Sequence, residues 1–284
     1  MKKILLLLLV AVAAQSQDKP AYKIFTKEGK PSDFSSMMKE VAKADVIFFG
    51  ELHDNAMAHW LELHVAKELF AQKGSVTIGM EMFEADNQII LDEYLNGLID
   101  EKLLLNEAKV WDNYKNDYKP LVEFAKENKQ RVIATNVPRR YANVVYKKGI
   151  EQLNTLPAEA KSWIAPLPVT IDLSLPGYKS MIDQMAGHGA PGSAENMARS
   201  QAVKDATMAH FILKNKTAPF LHVNGSYHSQ NFEGIVWYLK QADAKLKIAT
   251  IQLVEQKDIS QVEAANKGVA DFIICVPDDM TKTY

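Results

Sequence analysis

Short apolar runs alternate with longer stretches of helical spacing along most of this chain. Val46–Gly50, Val76–Met82, Arg131–Asn136, Phe220–Asn224, Lys247–Val254 and Asp271–Val276 read as strands buried on both faces, because their apolar residues run on without alternation. Between them, Asp54–Gln72, Ala85–Leu98, Leu121–Lys129 and Gln230–Gln241 carry helical periodicity. In the first of these, Met57, Trp60, Leu61, His64 and Leu69 share a stripe, and Gly74 is a stop signal. Asn106–Tyr118 reads as loop with a short helix. Strands alternating with helices predict an α/β fold, a mainly parallel sheet flanked by helices. The pattern changes after Pro138. Arg139–Lys148, Ala158–Ile164, Gly177–Ala186 and Ala194–Lys214 read as helices broken by Pro and Gly, with no strand among them. Residues 139–216 are therefore expected to be a helical insertion between two strands of one domain spanning residues 17–284.

The N-terminus has a pattern of its own. Lys2 and Lys3 precede an apolar run from Ile4 to Ala14, and Ala14 and Ser16 are small residues suited to a cleavage site. Residues 1–16 are expected to be a signal peptide, because the run is shorter than the roughly 20 residues a membrane span needs. Export to the periplasm or the medium follows. No cysteine succeeds the run, so no lipid-modified cysteine is expected there. Cys275, the only cysteine, sits in a buried-strand run and reads as a small core residue. Lys and Arg number 33 against 35 Asp and Glu, a net charge of −2, which gives no footprint for nucleic acid.

The candidate chemistry lies where strands end. Val46-Ile-Phe-Phe-Gly-Glu-Leu-His53 and Pro219-Phe-Leu-His-Val-Asn-Gly-Ser-Tyr-His228 both close with Gly-x-x-His. Each presents an imidazole at the carboxyl edge of a sheet, where open α/β folds bind ligands. Glu51 stands beside His53 and could orient it, move a proton or hold a metal; the alternative is that His53 only caps the next helix. Glu81 follows another strand to the same edge. Asn136 ends a third strand, and Arg139 or Arg140 then stands beside the site with a fork suited to carboxylate or phosphate. Met197, Gln201, Asp205, Met208 and Ile212 share a helical stripe. Gln201 and Asp205 are polar on a face set for burial, where each would cost about 1–3 kcal/mol unpartnered. Partners are expected among Arg139, Arg140 or a site imidazole, either as a structural polar network or as direct ligand contacts. His222 reads as a core histidine, and His59, His64 and His210 carry no site argument. Tyr178 and His188 flank a further helix, with His188 between glycines.

Gly-Glu-Leu-His53, Glu81 in Met-Glu-Met-Phe, Asn136-Val-Pro-Arg, the Gln201–Asp205–Met208 stretch and Gly-Ser-Tyr-His228 together resemble the ChaN-like haem-binding uptake family. That family is grouped with Tiki and TraB proteins and erythromycin-esterase-like enzymes. The resemblance runs in order over most of the chain. It implies an α/β core with a helical insertion and a role in bacterial haem or iron uptake. It also implies a haem pair held face to face in a homodimer, with Tyr from one subunit and His from the other. Tyr178 and His188 are the counterparts by region, with Arg139 and Arg140 nearby, and an outer-membrane uptake receptor is the implied partner. The lipid-anchored cysteine of that family is absent. The Tiki and TraB branch implies a second reading, a hydrolase using a divalent metal on His53, Glu81 and His228 with Glu51.

Overall fold

The computed structural model describes residues 19–186, 192–217 and 219–284. The expected signal segment and His188 lie outside them. Eight strands form one sheet: β1 (Lys23–Thr26), β2 (Pro31–Ser32), β3 (Val46–Glu51), β4 (Thr77–Glu84), β5 (Val132–Asn136), β6 (Phe220–Gly225), β7 (Ile248–Gln256) and β8 (Phe272–Pro277). Their order is β2-β1-β8-β7-β3-β6-β4-β5. From β8 to β5 every pairing is parallel, and β1 and β2 add an antiparallel edge. The fold is therefore α/β, as the alternation of patterns required.

The helices are α1 (Phe34–Val41), α2 (Ala56–Lys73), α3 (Gln88–Leu95), α4 (Glu101–Glu107), α5 (Tyr114–Asp117), α6 (Lys119–Glu127), α7 (Arg139–Lys148), α8 (Ala158–Lys161), α9 (Pro176–Met185), α10 (Ser193–Asn215) and α11 (Ile235–Ala242). One face of the sheet carries α1 to α6, with Met37, Leu61, Leu69, Tyr118 and Val122 packed on Ile47, Phe49, Ile78 and Leu221. On the other face, Phe48 and Phe220 meet Met208 and Ile212 of α10 and Val236 and Leu239 of α11. Among the described residues, helices alone fill the interval from α7 to α10. None of the described helices is long and apolar enough to cross a membrane.

Strand order sets up the site. The chain runs outward from β3 to β4 and β5, returns to β6 between β3 and β4, then crosses to β7 and β8. Parallel register puts Gly50 beside Asn224 and Glu51 beside Gly225. Met80 lies beside Val223, so Glu81 comes level with them from β4. The ends of β3, β4 and β6 thus open on one crevice, the placement expected at a reversal of strand order.

Two expectations change. The antiparallel edge and α1 were not legible, because β1 buries just Ile24 and Phe25 and shows no run. The helix expected from Gln230 starts at Ile235. Asn231 and Gly234 have φ of +58° and +53°, which no helix continues through. A Cβ on Gly234 would lie 2.4 Å from the His228 carbonyl oxygen, so this break presses on the site itself.

Candidate active site and its buried supports

A cavity of about 1020 Å³ opens above the strand ends. His53, Glu81, Asn136, Arg139, Arg140, Gln201 and His228 all line it, from five separate parts of the chain. The two Gly-x-x-His edges therefore meet. Tyr227, Trp111, Met181, Val110 and Val137 supply apolar wall. Lys109, Arg139 and Lys204 also face it, and none of their side chains is in an ion pair with a described residue.

At the β3 edge, His53 Nδ1 lies 2.6 Å from Glu51 Oε1, and Tyr118 donates to the same oxygen at 2.8 Å. The Trp111 ring packs edge-on to His53 with centroids 4.9 Å apart. His53 Nε2 takes part in no hydrogen bond within the described chain. A Cβ on Gly225 would stand 2.6 Å from it, so only glycine lets β6 approach so closely. Burial alone would raise the Glu51 carboxyl; contacts with His53 and His59 override it and hold the group well below the usual range. Burial would lower His53, and the Glu51 carboxylate outweighs it and raises it.

At the β6 edge, His228 is buried and both its nitrogens are taken. Nδ1 lies 2.6 Å from Asp205 Oδ1, and Nε2 lies 3.2 Å from Glu81 Oε1. Glu81 also accepts from the Gly225 N–H at 2.8 Å. Burial opposes the charge on His228, but the two carboxylates prevail and push it up to about 10. Glu81, against its own burial, is held down to about 2 by His228. Asp205 is raised, because in its fully buried position desolvation outweighs His228.

Of the polar stripe of α10, Asp205 finds its partners here, while Gln201 is half-buried and lines the cavity. Asp205 meets the His228 imidazole and not an arginine. Arg140 instead pairs with Asp86 at 2.5 Å and stacks on Tyr141. Arg139 is exposed, with its N–H bonded to Glu84. Asn136 donates to the Glu81 carbonyl at 3.0 Å and leaves a buried Oδ1 without a partner beside the cavity. Tyr178 is 3% exposed and donates to Asp205 Oδ2 at 2.6 Å, one layer beneath His228. Burial, and then Asp205, raise its phenol far above the ordinary value. His222 is a core histidine, bonded to Thr135 and Asn224.

One dismissal is corrected. His59 belongs to the site's support: its Nδ1 faces Glu51 and Glu62, and its Nε2 meets the His53 carbonyl oxygen at 3.1 Å. Burial would lower it, but Glu62 and Glu51 push it up to about 11. Burial, then Glu51, raises Glu62 well above the usual range. His64, five residues on, does not share a helical face with His59. The informative neighbour was Glu62, an acid on the same buried face of α2 as Ala58, Val65 and Leu69. Tyr118 and Trp111 sat in a stretch read as loop and gave no such signal. Of the metal set expected on His53, Glu81 and His228, Glu81 and His228 meet at 3.2 Å, but His53 does not complete a group of three ligand atoms with them. Among the described residues, three ligand atoms come together at Glu51, His59 and Glu62 instead.

A family model for "Haem-binding uptake, Tiki superfamily, ChaN" matches residues 37–239. Among solved structures, ChaN of Campylobacter jejuni with cofacially bound haem is similar, at 19% identity and a TM-score of 0.65, over 89% of this chain and 96% of that one. A Bacillus cereus protein follows at 12% identity and 0.51, over 87% and 92%. A succinoglycan biosynthesis protein matches at 8% identity and 0.50, over 87% and 91%. No curated protein matches the sequence.

Proposed function

We propose a function from one premise: this chain belongs to the haem-binding uptake family of the Tiki superfamily, ChaN. It binds haem, as an exported protein of bacterial haem or iron uptake. The observation that carries the placement is the cavity between strand edge and insertion. Its volume of about 1020 Å³ is ample for a porphyrin-sized ligand. Trp111, Val137, Met181 and Tyr227 offer faces for an apolar ring. Lys109, Arg139 and Lys204, in no ion pair among the described residues, offer cations for its two carboxylates. His53, positioned through Nδ1 by Glu51, keeps Nε2 as a nitrogen donor for iron. Tyr178 would ligate only after leaving Asp205. The resemblance points instead to a homodimer sharing haem through Tyr178 and His188, the alternative that the Tyr178→Phe variant below decides, with an outer-membrane receptor as a further partner.

Hemin titration of the purified chain tests it. A saturable Soret band at micromolar protein is expected. Its position should shift in His53→Ala and stay in Tyr178→Phe; the reverse pattern moves the iron to the tyrosine. No saturable band overturns the reading.

A second reading rests on the two imidazole–carboxylate couples facing one cavity. His53, held by Glu51, could take a proton from water attacking an ester. Release of p-nitrophenol from p-nitrophenyl acetate, lost in His53→Ala, supports it; equal rates in both proteins remove it.

A further inference from the structure

We propose that Glu51, His59 and Glu62 form a buried site for a divalent transition metal of the zinc type, separate from the haem reading and behind His53. His59 Nδ1 lies 3.0 Å from Glu51 Oε2 and 3.3 Å from Glu62 Oε2. Zinc held tetrahedrally at about 2.0–2.1 Å keeps its ligand atoms about 3.3 Å from one another, so this spacing fits an ion among the three. Imidazole with two carboxylates is a donor set zinc accepts.

Hydrogen bonding satisfies the cluster only in part: His59 Nδ1 bonds Glu62 Oε2 at 3.3 Å, and two carboxylate oxygens remain over. Nδ1 carries at most one proton yet faces two carboxylates. Its short approach to Glu51 Oε2 lacks hydrogen-bond geometry, and that oxygen and Glu62 Oε1 have no hydrogen-bond partner. All three side chains are more than nine-tenths buried, where bare carboxylate oxygens are costly.

The surroundings are those of a metal site. The second nitrogen of His59 meets a backbone carbonyl, that of His53, at 3.1 Å, which fixes the ring. Glu51 keeps its other oxygen for Tyr118 and His53. His59 and Glu62 lie one turn apart on α2, so helix geometry presets two ligands and the end of β3 supplies the third. An ion there joins helix to strand and shares Glu51 with His53. With so little solvent access, it enters as the chain folds.

The full chain, purified without chelator and separately refolded from denaturant with zinc chloride, is analysed for metal by mass spectrometry. Roughly one zinc per chain is expected after refolding and removal of excess ion. His59→Gln and Glu62→Gln should refold to the same circular dichroism and hold none. Tyr118→Phe, which removes the bond to Glu51 and the longer contact with His53 but no proposed ligand, should weaken affinity about 10–100-fold. Wild-type protein that refolds without zinc overturns the proposal. So does zinc retained in both Gln variants, or zinc lost from His228→Ala while His59→Gln keeps it. Hemin titration of the same samples reads the haem function independently.

Discussion

At the β3 edge, the His53 side chain is 33% exposed and one nitrogen is held; at the β6 edge, His228 is 7% exposed and both nitrogens are held. The motif is the same and the outcome is not. His53 has its acid beside it in sequence and leaves a face to the cavity. His228 is clamped between Glu81 of β4 and Asp205 of α10, so it ties insertion to sheet. A shared spacing delivers an imidazole to the edge; the neighbouring elements decide whether it serves ligand or scaffold.

The sharpest break of this comparison is stability. His228→Ala strands two carboxylates in the interior and should cost about 3–5 kcal/mol. His53→Ala leaves Glu51 with Tyr118 and His59 and should cost about 1 kcal/mol. Urea unfolding of both checks this; equal losses would erase the distinction.

Next in size is Gly225→Ala. Its Cβ would enter the space of His53 Nε2, and either ring or strand must shift, at about 1–3 kcal/mol. Hemin affinity should fall with it, and the His228 imidazole signals should hold in nitrogen NMR.

The pH profile sharpens the contrast further. His228 is raised to about 10 from 6.5, so its contribution is complete below about pH 6.5 and is lost as pH rises towards 10. His222, six residues earlier, is lowered by burial to about 4. Its contribution is complete above about pH 6.5 and is lost as pH falls towards 4. Unfolding free energy measured across this range should therefore fall at both ends. His228→Gln should reduce the alkaline limb to the part His59 contributes towards pH 11, and should also weaken the acid dependence that comes from Glu81, which His228 holds down to about 2.

The smallest effect is expected at Trp111. Trp111→Leu removes the edge contact to His53 and should cost about 0.5–1.5 kcal/mol beyond lost area. A shift of the hemin spectrum with little change in urea midpoint would show that Trp111 serves the cavity side of His53.

The two Gly-x-x-His edges were legible because a buried strand is an unbroken apolar run, and whatever polar group follows its end must stand at the rim. Asp205 was legible as a polar residue on an apolar stripe, with a site imidazole among its expected partners, though nothing in the sequence chose His228 over the arginines. His59 and Tyr118 were not, since a histidine on a helix and a tyrosine in a mixed stretch look the same whether they face solvent or a carboxylate. By itself the sequence determined the parallel sheet, the helical interval and which side chains reach the rim, because those depend on periodicity along one strand or helix. Only the tertiary structure decided that β6 enters between β3 and β4. That single placement brings Glu81 to His228 and Gly225 to His53, and sets one imidazole free while locking the other. Such choices depend on residues far apart in the chain, and no local pattern records them.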